Sequence, residues 1–263
     1  MDSSDWMKVL VSTAEDVFSA VNDARSKGDG MERGPFKHLL DKAAQDTIVE
    51  SFQRRSLSIN LISEEGDIII GAGGPTIITD PIDGTTNISR GLQPFVTCLA
   101  ISENNTLEGI NAAVVMDLDN GNTFTAERGK GAFLDGNQIK VAPYRDVRSA
   151  LISLSMSKNP QLDRIGQLIK TCRSFRILGS SATELCLVAN GVFDAHVDVR
   201  GIIRATDVAA SLLILQEAGG CYAINGKIEG NMNLTRETTA EVIAAGSQSL
   251  LEELITITRS RVE

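Results

Sequence analysis

The chain has 263 residues, 42% of them hydrophobic, and a formal net charge of −9. That length can bury a sizeable core in one large domain or two packed ones, and the negative charge argues against nucleic acid and anionic membrane surfaces as main partners. No basic start with an apolar core marks a secretory leader and no apolar run approaches membrane-spanning length, so a cytoplasmic protein is expected.

Residues Trp6 to Ala24 put Val9, Leu10, Thr13, Ala14, Val17, Phe18 and Val21 on one face at helical spacing. A glycine-rich break follows from Gly28 to Gly34. After Pro35 the period returns in Phe36, Leu39, Leu40, Ala43, Ala44, Ile48 and Phe52, a second helix with Asp41 near its polar side. From Leu57 the pattern alternates as a strand does, ending in the acidic pair Glu64-Glu65. Thr76 to Thr79, Val96 to Ile101, Gly109 to Met116 and Thr123 to Ala126 read as further strands, and Leu134-Asp135-Gly136-Asn137 as a hairpin turn. The first half is therefore an α+β part, an antiparallel meander with two helices against it.

Beyond Pro143 strands and helices alternate. Strands are expected at Ala150 to Ser155, Phe175 to Leu178, Val192 to Val199, Cys221 to Ile224 and Val242 to Ala245. Helices are expected at Leu162 to Thr171, from a Ser181/Glu184 capping box through Ala189, from Thr206-Asp207 through Ala218, and at Leu250 to Thr258. The boundary divides an N-terminal α+β domain, residues 1–145, from a C-terminal α/β domain, residues 146–263. Cys98, Cys172, Cys186 and Cys221 lack CxxC spacing and read as reduced core thiols, while His38 and His196 are too few for a His-rich metal centre.

The chemistry concentrates in Asp80-Pro81-Ile82-Asp83-Gly84-Thr85-Thr86-Asn87. Asp80 belongs at a strand end, where Pro81 is expected to stop the ladder and Gly84 to turn the chain, so two carboxylates converge. Two unit charges about 4 Å apart repel by roughly 4 kcal/mol at an effective dielectric near 20, and a divalent cation removes that penalty. Oxygen-only ligands point to a hard ion, Mg²⁺ before Zn²⁺. The hydroxyls and N–H groups of Thr85 and Thr86 then offer donors to an anion beside it, which suits a phosphate. No GxSxG elbow supplies a covalent nucleophile.

With Ser63-Glu64-Glu65 before this loop and Ala205-Thr206-Asp207-Val208-Ala209-Ala210 running on to Glu217-Ala218-Gly219-Gly220 after it, the chain resembles the inositol monophosphatase family. That family lies within the Mg²⁺-dependent, lithium-sensitive phosphatase superfamily, which also holds fructose-1,6-bisphosphatases. The resemblance implies a layered αβαβα sandwich. It implies that Glu64, Asp80 and the carbonyl of Ile82 hold one Mg²⁺, that Asp80, Asp83 and Asp207 hold a second, and that Glu64 helps place a third. It gives Gly84 and Thr85 N–H groups to the phosphate, and pairs the Thr85 hydroxyl with Asp41 to orient the attacking water, with Glu64 as a further catalytic acid. Glu65 resembles an outer acid. Before Asp41 the usual Thr is absent, and His38-Leu39-Leu40 stand there.

Sugar contacts are implied for Gly179, Ser180, Ser181 and Asp198, together with Asp83. Val197-Asp198-Val199-Arg200, with Arg204 and Thr206 in place of the usual aromatic pattern, resembles archaeal-type members credited with both inositol phosphate and fructose bisphosphate hydrolysis. A second phosphate needs cations, for which Arg200, Arg176, Lys158 and Arg173 are candidates. The expected activity is a Mg²⁺-dependent phosphomonoesterase acting on a small sugar or cyclitol phosphate, in a protein that by resemblance is a homodimer. The alternatives are a 3′-phosphoadenosine phosphate or NADP phosphatase of the same superfamily, and a non-catalytic metal-binding regulatory protein.

Overall fold

The structure is a computed structural model and describes residues 2–28 and 30–259. Residue 1, Asp29 in the glycine-rich break and the last four residues of the expected C-terminal domain lie outside it.

Two helices open the chain, α1 (Ser3–Lys27) and α2 (Arg33–Arg54), with Pro35 in the first turn of α2. Proline is tolerated there because the first helical N–H groups have no intrahelical acceptor. Eight strands follow in one sheet, β1 (Ile59–Ser63), β2 (Ile68–Ile70), β3 (Thr76–Asp83), β4 (Val96–Ser102), β5 (Ile110–Asp117), β6 (Thr123–Glu127), β7 (Gly131–Leu134) and β8 (Asn137–Gln138), and the short helix α3 (Thr85–Ile88) follows β3. Their order is β2-β1-β3-β4-β5-β6-β7-β8. The expected meander is antiparallel from β3 onward, but β1 pairs parallel with β3. The intervening β2, unread in the sequence because Ile68-Ile69-Ile70 shows no alternation, turns back on the outer side of β1.

The second sheet has β9 (Leu151–Leu154), β10 (Ser174–Arg176), β11 (Ala195–Arg204), β12 (Cys221–Ile224), β13 (Lys227–Ile228) and β14 (Thr239–Ala245), in the order β10-β9-β11-β14-β12-β13. Its helices are α4 (Leu162–Thr171), α5 (Ser181–Ala189), α6 (Ala205–Glu217) and α7 (Gln248–Arg259). Helix α5 is capped by Ser180, not by Ser181, because the Ser180 hydroxyl accepts the Thr183 N–H. Glu184 is accordingly not a capping-box partner; it is buried and accepts the Leu178 N–H at 2.7 Å.

Strand alternation explains the layering. In β3 and β4, Ile77, Leu99 and Ile101 face α1 and α2, while Ile78, Cys98 and Ala100 face α5 and α6. In the second sheet Tyr222, Val242 and Ala244 meet the same central helices, and Ile152, Val197 and Ile243 meet α4 and α7. Each sheet is covered on both faces, which is why all seven residues of β4 are buried. Five layers result, helices, sheet, helices, sheet, helices. The division near residue 145 separates the two sheets, whereas the central apolar core runs across it. All four cysteines are free, with Cys98 and Cys186 fully buried.

Candidate active site

Strand β3 does not stop at Pro81. It continues to Asp83 with a shift of register, since Asp80 pairs with Cys98 and Asp83 with Val96. Three steps on β3 therefore oppose two on β4, a bulge of one extra residue, and a proline without an N–H costs no ladder bond there. The bulge matters for direction. Residues three apart in a regular strand point to opposite faces, and the inserted residue brings Asp80 and Asp83 to one side. The Asp80 carboxylate closes the bend by accepting the Ile82 N–H at 3.0 Å. Gly84 then takes φ +95°, and a Cβ there would lie 2.8 Å from the Pro94 carbonyl oxygen, so only glycine fits.

Three elements deliver the acids. Glu64 follows β1, whose last residue, Ser63, is tied to Gln45 of α2 at 2.7 Å. Asp80 comes from β3 and Asp207 from the first turn of α6, where it accepts the Arg204 N–H at 3.1 Å. Carboxylate oxygens of Glu64, Asp80 and Asp207 all lie within 4.8 Å of one another. Asp83 adjoins them, one of its oxygens held by the Ser180 hydroxyl at 2.9 Å and the Ala182 N–H at 2.8 Å. Burial first, and then the neighbouring carboxylates, push Asp80 well above the usual carboxylate range. The same causes raise Asp83 to about 7, against the opposing pull of its two donors. Asp207 is also raised, burial outweighing the Arg204 charge.

This donor set fits a hard divalent cation. It is all oxygen, it comes from separate elements, and Asp80, 3% exposed, accepts only one backbone N–H. Buried like charges at such distances repel by roughly 4 kcal/mol per pair, and a cation of charge two reverses the sign.

A cleft of about 250 Å³ opens over the acids. Of the residues expected from sequence, Glu64, Asp80, Ile82, Asp83, Gly84, Thr85, Gly179, Ser181, Arg200 and Asp207 line it, and so does Lys158. Five others do not, each for a visible reason. Ser180 lies buried behind Asp83. Asp198 is fully buried, with Arg200 Nε 2.9 Å from one carboxylate oxygen and the guanidinium 2.5 Å from the other, so it anchors an arginine and does not face a ring hydroxyl. Arg176 is exposed, its guanidinium turned to the Phe175 carbonyl, and Arg173 is likewise exposed outside the cleft. Asp41 lies beside Glu65 and Lys37, raised to about 6 chiefly by burial. The expected Thr85–Asp41 pair is not formed, because the Thr85 hydroxyl donates to the Ile82 carbonyl at 3.0 Å.

Two cleft cations escaped the sequence reading. Lys37 stands one turn before Asp41 on α2, a spacing of four that puts both on the row of side chains leading to Gln45 and β1. Arg204 appeared only as a departure from the aromatic pattern, and its guanidinium in fact reaches Glu64 and Asp207. The segment 178–180 is fixed from both sides: Leu178 donates to Glu184, and its carbonyl accepts from Asn87 at 2.8 Å.

Removing the anchor of Arg200 should be costly. Asp198→Ala leaves a guanidinium 9% exposed without its carboxylate, an expected loss of about 3 kcal/mol read as a lower urea midpoint. A midpoint equal to that of the wild type contradicts the anchoring role.

A five-layer sandwich whose central helix and two strand ends present acids to a glycine-turned loop defines a scaffold for a divalent cation beside an anion. The chain belongs to the inositol monophosphatase family, whose model matches residues 4–263. It is 32% identical over 281 aligned positions to a fructose-1,6-bisphosphatase/inositol-1-monophosphatase of Methanothermobacter thermautotrophicus, covering 97% of this chain and 98% of that one. It is also 32% identical to a Nus factor SuhB of Pasteurella multocida, over 69% of this chain and 68% of the other. A solved structure from Pyrococcus horikoshii, described as similar to inositol-1 monophosphatase, superposes with a TM-score of 0.82 at 27% identity over the full length of both chains.

Proposed function

We propose that the protein hydrolyses monoesters of small sugar or cyclitol phosphates with Mg²⁺, inositol phosphate and fructose-1,6-bisphosphate foremost. The observation that carries this is the meeting of Glu64, Asp80 and Asp207 within 4.8 Å at the mouth of the Gly84 turn. Those three, with Asp83 and the Ile82 carbonyl, are the groups that would hold two or three ions. Such ions neutralise the ester's charge and acidify a water at neutral pH. Gly84 and Thr85 offer backbone N–H groups to the phosphate. Thr85 keeps acceptor capacity on its hydroxyl after donating to Ile82, so with Glu64 it orients the attacking water.

Selectivity falls to the rest of the cleft. Arg200 and Arg204 are committed to carboxylates, which leaves the exposed Lys158 and Lys37 on the cleft wall to meet a second anionic group. Gly179 and Ser181 face the sugar. Phosphate release from inositol-1-phosphate and fructose-1,6-bisphosphate, each with Mg²⁺ and with chelator, tests the proposal; no metal-dependent release from any sugar phosphate rejects it. Higher kcat/KM on 3′-phosphoadenosine phosphate or NADP would move the protein to the nucleotide branch.

The relative named as a Nus factor favours one further reading, a regulatory protein with a silent metal site. An inert chain that still takes up Mg²⁺ would be its mark. No helix among the described residues is long and apolar enough to cross a membrane, and the reading places the enzyme in the cytoplasm as a homodimer, to be checked by light scattering.

A further inference from the structure

Arg204 ends β11 and stands one turn ahead of Asp207. Its guanidinium lies 2.7 Å from a Glu64 oxygen and 3.1 Å from one Asp207 oxygen, and its own N–H bonds the other Asp207 oxygen. Two of the three converging carboxylates are thus already engaged by one side chain, and both oxygens of Asp207 are in use. We infer that Arg204 is a resident counter-cation of the acidic pocket that competes with divalent metal for Glu64 and Asp207 and so sets the pocket's metal affinity. The inference rests on the metal-dependent reading above.

Three features separate this role from that of an ordinary ion pair. A guanidinium keeps its charge across the accessible pH range, so it yields the carboxylates only by moving or by sharing their lone pairs. Its side chain is 31% exposed, which gives it room to turn toward solvent. Arg200, the other cleft arginine, is 9% exposed and locked to Asp198, outside the cluster, so it cannot substitute. Without metal, Arg204 relieves the mutual repulsion of Glu64, Asp80 and Asp207. With metal, the same charge opposes the ion. Removing it should therefore weaken the metal-free fold and tighten metal binding together, whereas a purely structural arginine would show only the first effect.

The test uses the full chain as wild type, Arg204→Met and Arg204→Lys, titrated with Mg²⁺ by calorimetry without substrate and melted in chelator and in saturating Mg²⁺. For Arg204→Met the expected results are a Kd for Mg²⁺ about tenfold lower and a Tm in chelator lower by about 2–4 °C. Arg204→Lys, which keeps the charge and loses the fork, should fall between. An Arg204→Met protein that melts cooperatively and binds Mg²⁺ no more tightly than the wild type overturns the inference. If that variant fails to fold, an unchanged or weaker Kd in Arg204→Lys does the same. Uptake of Mg²⁺ by neither wild type nor variant overturns the metal reading itself, and the inference with it.

Discussion

Asp83→Asn should lower kcat/KM by about 10³-fold or more while the protein still folds. Groups behind a metal ligand typically cost 10–100-fold when changed, and a direct ligand costs more. The structure explains why the fold survives. One oxygen of Asp83 accepts from the Ser180 hydroxyl and the Ala182 N–H, and an asparagine oxygen can accept both bonds. What disappears is a unit of negative charge in the acidic pocket. Asp207→Asn follows the same logic, since its amide oxygen can still accept the Arg204 N–H that caps α6. Steady-state kinetics and melting in chelator decide this. Rates near those of the wild type, in a variant that melts normally, remove Asp83 from the machinery.

The second large effect is a pH dependence that metal should weaken. In the metal-free fold Asp83 is raised to about 7, and Asp80 and Asp207 are raised with it, burial being the leading cause in each. An unfolded chain releases those protons near pH 4. Between about pH 4 and 7 the native state therefore holds more protons than the unfolded one, and stability falls as pH rises, reaching its full loss above the folded pKa. A divalent cation replaces the protons. The rise in Tm on adding Mg²⁺ should be small near pH 5.5 and largest near pH 8. Glu184, raised to about 8 chiefly by burial and in lesser part by the Asp83 charge, bonds Leu178 and lies against His196, so burial keeps it contributing to the loss in both conditions. The difference between the Mg²⁺ and chelator curves thus removes the burial part of the Glu184 effect and reports mainly the cluster. A difference that is flat or shrinks toward pH 8 would mean that these acids are not gathered as the structure gathers them.

Much of this architecture is legible in residue order. The apolar face from Leu10 to Val21 gives α1 because helical spacing puts those side chains against one sheet face, and all of Leu10, Ala14, Val17 and Val21 are buried. Glu64, Asp80, Asp83 and Asp207 are equally legible as acids beside strand ends and a helix start, since turn chemistry and period change mark those places. Local rules fail where burial and backbone geometry, not spacing, decide which neighbour a side chain takes. The cap of α5 slips by one residue because the Ser180 hydroxyl takes the Thr183 N–H, and buried Glu184 accepts the Leu178 N–H instead. Asp198 reads as a ligand until Arg200, two residues on and across a bulge in β11, claims both its oxygens.

By itself the sequence determined the helices with periodic faces, the hairpin strands and the kinds of side chain available for chemistry, because each depends on neighbours within a few residues. Only the tertiary structure decided which acids share a pocket. That choice turns on the bulge that points Asp80 and Asp83 the same way, on the parallel pairing that sets Glu64 beside them, and on the central helix that carries Asp207 between two sheets. Each is a long-range contact fixed by packing and hydrogen-bond register, and so is the reach of Arg204 to Glu64, 140 positions earlier in the chain.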